Sequence, residues 1–330
     1  MFEIPIVLFI FKRKKAVEII KQISKVKPRK LYILGDGPRN SDESKEVEEC
    51  RKLVEEAIDW DCEVIKNYAK VNRGVYENIG KGAMWVFKRE KSAIFLEDDN
   101  YPELTFFDFC KEMLERYENN EKIMWICGTN YLEKFKSHEN ESYVFTQHML
   151  PCGWASWSNK FLKYYDGDMT TYTEDVLNKV KGSYVSRSLY NNMSDAWISE
   201  HRRMSNGDKP ISWDYQMDYS LKYYDLYGIC PTVNQIKNIG VDEYSIHGGT
   251  SKDNPMIERF CENQIFPIEF PLKHPESINI NSKFEKEIGK ILTPPLNYRM
   301  KSGLLKQIRR TFKIPYNIKT SDYFKSWYKK

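Results

Sequence analysis

The chain has 330 residues, of which 41% are apolar, 30% charged and 14% aromatic, with a net charge of +4. That length suits one large domain or two ordinary ones, and the aromatic content excludes a disordered chain or a small disulfide-stapled scaffold. The longest apolar run, residues 4 to 11, contains Pro5 and falls far short of the about 20 residues that span a bilayer, so no membrane helix is expected. The basic cluster Lys12 to Lys15 follows that run instead of preceding it, which does not read as a secretory leader. The expectation is a cytoplasmic protein. Seven cysteines, with no C-x-x-C pair, are expected to be reduced, mostly buried and unconnected with zinc.

Charge is unevenly spread. Residues 296 to 330 carry ten Lys or Arg against the single acid Asp322, a net of +9 that leaves −5 for the rest of the chain. An acidic body argues against nucleic acid as a partner, because backbone binding needs several positive charges on one face.

The first hundred residues alternate strand and helix patterns, the signature of a sheet flanked by helices. Ile4 to Phe11 predicts a buried strand; Ala16, Ile19, Ile20 and Ile23 then share one helical face. Leu31 to Leu34 predicts a second strand, stopped by Gly35-Asp36-Gly37-Pro38, and a helix follows from about Ser41 to Ala57 with Val47, Cys50, Val54 and Ala57 inward. Cys62 to Ile65 predicts a third strand. After Asn72-Arg73-Gly74 comes a helix burying Val75, Ile79, Gly82 and Val86, and Ala93 to Leu96 predicts a fourth strand running into Glu97-Asp98-Asp99. Thr105 is placed to cap a helix whose Phe106, Phe109, Cys110, Met113 and Tyr117 form one stripe. From about 123 to 260 the pattern is irregular and aromatic, predicting mixed strands and long loops. Prolines at 255, 267, 271, 275, 294 and 295 predict a linker before the basic tail.

In an open α/β sheet, ligands gather at the carboxyl ends of strands. Asp36, Asn72-Arg73-Gly74 and Glu97-Asp98-Asp99 all fall there. Three adjacent acids suit a hard divalent cation, which takes oxygen ligands, although a solvated acidic turn is the bland alternative. No G-x-x-x-x-G-K-[ST] and no strand-linked G-x-G-x-x-G occurs, so a diphosphate would be held through metal and side chains.

With these blocks in order, together with Cys152-Gly153-Trp154, Trp213-Asp214 and His247-Gly248, residues 3 to 250 resemble glycosyltransferases of the GT-A fold. The family-2-like members and the N-acetylglucosaminyltransferases of N-glycan processing, with their bacterial relatives, are the nearest in pattern. The resemblance implies an α/β, Rossmann-like nucleotide-diphospho-sugar transferase domain with a mixed central sheet flanked by helices. Residues 1–105 would form its nucleotide-sugar half and 106–260 its acceptor half, with 261–330 as linker and basic amphipathic tail. It implies Mn²⁺ or Mg²⁺ at Asp99, with His247 reaching back to the metal or phosphates. Arg13, Asp36, Asn72, Arg73, Glu97, Asp98, Trp154 and Trp213 would line the donor, with Asp36 accepting the N3 proton of uracil. Asp214 is the expected base of an inverting transfer, and Asp218, one turn on, its competitor. Trp154 and Trp157 are candidate sugar platforms, Gly153 allowing close approach of the ligand.

The implied reaction moves a sugar from a nucleotide donor, with a UDP-sugar favoured, to a hydroxyl of a glycan or lipid-linked glycan, as in surface polysaccharide synthesis. The alternatives are a sugar-nucleotide nucleotidyltransferase and an inactive glycan-binding scaffold. In the tail, Leu304, Leu305, Ile308 and Phe312 share a helical face beside Lys306, Arg309, Arg310 and Lys313, so residues 299–330 are expected either to touch an anionic membrane surface on its inner face or to pack on the body.

Overall fold

Ile6–Ile10 forms β1, with every side chain buried. This is what an apolar run without alternation gives when helices cover both faces of a sheet. The computed structural model describes residues 1–242, 259–314 and 320–327. Helix α1 (Ala16–Val26) follows β1, then β2 (Lys30–Gly35), α2 (Ser41–Glu56) and β3 (Glu63–Tyr68). The α2 start is fixed by Asn40, whose side chain accepts from the Asp42 and Glu43 amides. A five-residue π-turn, Tyr76–Gly80, leads into α3 (Lys81–Phe87) and then β4 (Ser92–Glu97). These parallel strands lie in the order β3-β2-β1-β4.

The chain then adds β5 (Asn100–Pro102), α4 (Thr105–Arg116), β6 (Ile123–Cys127), β7 (Tyr143–Thr146) and β8 (Trp154–Trp157). Helices α5 (Ser158–Tyr164), α6 (Glu174–Val180), α7 (Arg187–Ser205) and α8 (Asp214–Tyr223) precede β9 (Tyr227–Pro231) and β10 (Ile236–Asn238). The complete sheet has eight strands in the order β3-β2-β1-β4-β8-β6-β9-β7, with β8 and β7 antiparallel to their neighbours. Strands β5 and β10 pair separately as an antiparallel ribbon. The fold class is therefore α/β with a mixed central sheet flanked by helices.

Alternation along β1 divides the core. Ile6, Leu8 and Ile10 pack with the inner faces of α1, α2 and α4, while Val7 and Phe9 pack with α3, α5 and α8 on the other side. The stripes expected on α1 and α4 are buried as expected. Thr105 does not cap α4 with its side chain; its amide is taken by the Glu103 carboxylate at 2.6 Å. All seven cysteines are free, four of them buried. No helix among the described residues is long and apolar enough to cross a membrane.

Two expectations are corrected. Besides strands β6 to β10, the stretch expected to be strands and loops contains helices α5 to α8, one of nineteen residues, Arg187–Ser205, started by a Ser186 side chain that accepts from the Leu189 amide. Its Leu189 and Trp197 are buried, two helical turns apart on one face. Second, the proline-containing stretch is not a linker. Ile268 and Leu272 are buried, and α9 (Ser282–Leu292) packs Phe284 and Ile288 into the core. Its Glu285 accepts from the Thr146 hydroxyl and from the Gln147 amide at 2.9 Å, tying α9 to the end of β7. Phe284→Ala is expected to destabilise the protein by about 3–5 kcal/mol, read as a lower denaturant midpoint; a neutral result would mean that this segment is not part of the core.

Candidate functional site

Because Phe9 is level with Glu97 and Ile10 with Gly35, the carboxyl ends of β1, β2 and β4 finish side by side. The chain leaves β1 in both directions here, which makes the β1/β4 edge the place where an open α/β sheet leaves a crevice. Arg13 follows β1 into this crevice and is 9% exposed. Its Nη1 lies 2.5 Å from Asp98 Oδ1 and 3.1 Å from Asp99 Oδ2, and its Nε donates to Asp242 Oδ2 at 2.9 Å. Burial on its own would lower the Arg13 pKa, but Asp98, Asp99 and Asp242 together hold it above its usual value. Asp98 also accepts the Phe11 amide at 3.2 Å.

The acids outnumber the cation. Burial pushes Asp98 up to about 6 in spite of Arg13. Burial, Asp99, Asp98 and Asp214 raise Glu97 well above the carboxylate range, and burial raises Asp99. Glu97 accepts no hydrogen bond within the described residues, whereas Asp99 Oδ1 accepts from Asn100 at 2.7 Å. The segment after β10 crosses directly above: the Ile239 amide donates to the Asp99 carbonyl at 2.8 Å. Any side chain at Gly240 would collide with Asp99 Oδ2. Glycine there lets the segment pass without displacing the Asp99 carboxylate.

Asp214 opens α8 and sits close enough to Glu97 to raise it. Its Oδ1 accepts from the Ser212 hydroxyl, which in turn accepts the Tyr215 amide at 2.9 Å. Behind it, buried Glu200 on α7 accepts the Ile211 amide at 3.0 Å, and the Tyr165 hydroxyl donates to the Trp213 carbonyl at 3.2 Å. The loop bearing Asp214 is thus held from two sides. Asp218 lies one turn deeper, buried, accepting from the Tyr184 hydroxyl at 3.2 Å and facing Lys222. Burial pushes it up to about 6.

Asp36 is anchored rather than available. Oδ1 accepts the Gly37 and Arg73 amides, each at 2.7 Å, and Oδ2 accepts Asn72 Nδ2 at 2.9 Å and the Gly74 amide at 3.0 Å. Four donors saturate a carboxylate, so no lone pair is left for a uracil N3 proton. Asn72 also donates to the Gly37 carbonyl at 3.0 Å, and Arg73 Nη2 bonds the Asn67 carbonyl at 3.1 Å. These residues shape the loop at the rim.

Trp154 and Trp213 are not ligand platforms. Trp154 is 1% exposed, with its ring 3.9 Å from Phe95 and 4.5 Å from Trp125 between centroids, and it stacks on Trp213 at 5.5 Å. Trp157 is buried too, its indole N–H donating to the Leu114 carbonyl at 2.9 Å. The space expected for a ligand beside Gly153 is filled by the Ile236 side chain. Aromatic burial outweighed sugar stacking because β8 lies inside the sheet, covered by helices. His247 lies outside the described residues.

The site therefore unites Arg13, Glu97, Asp98, Asp99 and Asp214, and sets Asp36, Asn72 and Arg73 at its rim. Sequence reasoning missed Asp242, Ser212, Glu200 and Tyr165. Only Ser212, two residues before Asp214, carried a local signal, that of a side-chain cap.

No family model matches the chain, and no curated protein sequence does. Among solved structures it is similar to residues 1–349 of TarS from S. aureus, with 10% identity, a TM-score of 0.36, and coverage of 71% of this chain and 59% of that one. It is similar to a UDP-glucose pyrophosphorylase complexed with UDP-glucose, with 10% identity, a TM-score of 0.36, and coverage of 72% and 94%. A third is the mannosyltransferase PcManGT from Pyrobaculum calidifontis, in complex with GDP-Man and Mn²⁺, with 10% identity, a TM-score of 0.34, and coverage of 66% and 69%. The chain thus spans about three fifths of the first of these.

Asp218 provides a pH test. Its folded pKa of about 6 lies above the usual carboxylate value, so between pH about 4 and 6 the folded state holds a proton that the unfolded state has lost. Stability falls as pH rises through that window, and Glu97, Asp98 and Asp99 act in the same direction. Urea unfolding from pH about 4 to 7 is expected to show this fall, with Asp218→Asn making it shallower by about 2–3 kcal/mol; an unchanged slope would mean that Asp218 is ionised throughout.

Proposed function

We propose that this chain is a nucleotide-sugar-dependent glycosyltransferase that uses Asp214 to deprotonate the acceptor hydroxyl. The observation that carries the reading is the acidic cluster gathered on Arg13 at the β1/β4 crevice, with Asp214 at the start of α8 oriented by Ser212 and its charge acting on Glu97. One carboxylate from the second half of the chain faces the anchoring acids of the first. That is the arrangement an acceptor base needs when the donor is held at the strand ends.

The residues fit a divalent cation. Asp98, Asp99 and Asp242 are paired with one guanidinium and Glu97 lies next in the chain, and the acids, with Glu97, Asp98 and Asp99 pushed up by burial, are relieved by positive charge. Among the described residues no three His, Cys, Asp or Glu side chains converge as a ready-made metal cage. Mg²⁺ or Mn²⁺ held by one or two carboxylates together with substrate phosphates needs no such cage. Asp99 and Glu97 would hold it, since Asp98 is committed to Arg13 and Phe11. When bound, the cation stabilises the charge that collects on the departing nucleoside diphosphate.

The remaining work falls to the chain's own groups. Arg13 fixes the positions of Asp98 and Asp99 and adds positive charge beside the diphosphate. Ser212 orients Asp214, whose Oδ2 accepts no hydrogen bond within the described residues and is left for the acceptor. The acceptor oxygen forms a bond to the anomeric carbon as its proton passes to Asp214. The bond from that carbon to the diphosphate oxygen breaks, and its electron pair leaves with the nucleoside diphosphate. The resulting glycosidic linkage has inverted configuration. A UDP-sugar and a glycan hydroxyl are the substrates this reading favours.

Calorimetric titration of UDP, GDP and CDP, with and without Mn²⁺, tests the donor half. One nucleotide is expected to bind in a metal-dependent way, and Asp99→Ala is expected to abolish that binding. With the donor named, Asp214→Asn is expected to lower turnover by about 10²- to 10⁴-fold while leaving nucleotide affinity unchanged. Failure of every nucleotide to bind, or release of pyrophosphate in place of a nucleoside diphosphate, would overturn the reading.

A further inference from the structure

The C-terminal part of the chain contains α10 (Leu296–Thr311) and α11 (Thr320–Trp327). Most soluble helices hide their apolar stripe, but α10 shows it. Leu296, Met300 and Leu304 follow one another at four-residue spacing, which stacks them along one face. They are 62%, 67% and 61% exposed. Exposed Lys301 borders this row on one side and exposed Arg310 on the other. The helix is rooted through another face, where Arg299 Nη1 donates to Ser188 Oγ on α7 at 2.5 Å. Its far end is braced by α11, where Phe324 meets Phe312 edge to face at 5.2 Å and Arg309 Nη1 donates to the Thr320 hydroxyl at 3.1 Å.

We propose that this face of α10 docks on an anionic lipid surface, lying in the plane of the headgroups. Charge complementarity selects the occupant. No Asp or Glu occurs between Glu287 and Asp322, while that stretch carries eight Lys or Arg, and the rest of the chain is acidic. A negative bilayer would attract this end and repel the body, which sets the orientation. A flat, laterally uniform apolar layer suits a row of side chains exposed to this extent. Cations along both borders then meet the headgroup phosphates while the row enters the acyl boundary.

The face also lies beside the Asp214 side of the crevice. Arg299 is rooted on α7, the helix whose Glu200 holds the Ile211 amide just before Asp214. Docking would thus present the Asp214 side of the molecule to the membrane, where a lipid-linked hydroxyl could reach it. Lipid binding by α10 is independent of what the Arg13 cluster binds.

Flotation of the full-length protein with vesicles of phosphatidylglycerol and phosphatidylcholine, against phosphatidylcholine alone, tests the proposal. Binding at least about tenfold stronger to the anionic vesicles, weakening with added salt, is expected. M300E/L304E is expected to lower it by tenfold or more, and K301S/R310S by roughly tenfold. The second variant keeps the apolar row and guards against a folding defect in the first, with an unchanged thermal melt as the control for both. No preference for anionic vesicles, or binding untouched by either variant, would overturn the proposal. So would a wild-type dimer in sedimentation velocity that M300E/L304E converts to monomer, since the row would then be an interface between two copies.

Discussion

The buried guanidinium of Arg13 holds the crevice together. It receives oxygens from two separate stretches of chain: the end of β4 through Asp98 and Asp99, and the segment after β10 through Asp242. Desolvating a cation costs several kcal/mol in real proteins, and here three carboxylates in good geometry offset it. A lysine could not replace it, because a point charge cannot direct Nη1 to one pair of acids and Nε to another. Without Arg13 the acids after β4 would face one another and Asp242 with Lys15, 3.9 Å from Asp242, as the nearby cation. The close approach at Gly240 and the ion pairs of Arg13 are two parts of one constraint.

Within that constraint the acids divide into two kinds. Asp36 is fully engaged by the Gly37 amide and the 72–74 loop, while Asp98 gives one oxygen to Arg13 and the other to the Phe11 amide. Glu97 and Asp214 keep acceptor capacity. Chemistry requires the second kind, since a carboxylate already saturated with donors can neither take a proton nor bind a cation. The engaged acids account for the shape of the crevice and the others for what it can do.

This division also explains what the sequence disclosed. The four parallel strands, the faces of α1 and α4 and the acidic turn at the crevice are local patterns, readable from runs and helical spacing. Helix α7 was readable as well, from Ser186 followed by Leu189, Met193 and Trp197, but the many tyrosines nearby masked its period. Trp154 was misread because a lone Gly-Trp pair does not say whether the strand carrying it is inside a sheet, and the Phe95, Trp125 and Trp213 rings that enclose it come from three distant segments. Asp242 could not be found at all, since what marks it is ion pairing with Arg13 and Lys15, in a distant part of the chain. Saturation of Asp36 was equally hidden, because it depends on where four donors end up in space.

The two carboxyl groups that face each other across the crevice are set in unlike surroundings. Asp214 stands in the first turn of α8, where the unpaired amides of a helix start favour negative charge, and it accepts from Ser212. Glu97 stands at a strand end, with burial and three acidic neighbours pushing it up. The scaffold behind Asp214, from Glu200 on α7 to the Ser188 contact that roots α10, is continuous, so the group placed to take a proton, on α8, and the helix face placed to meet a lipid surface, on α10, are both braced by α7.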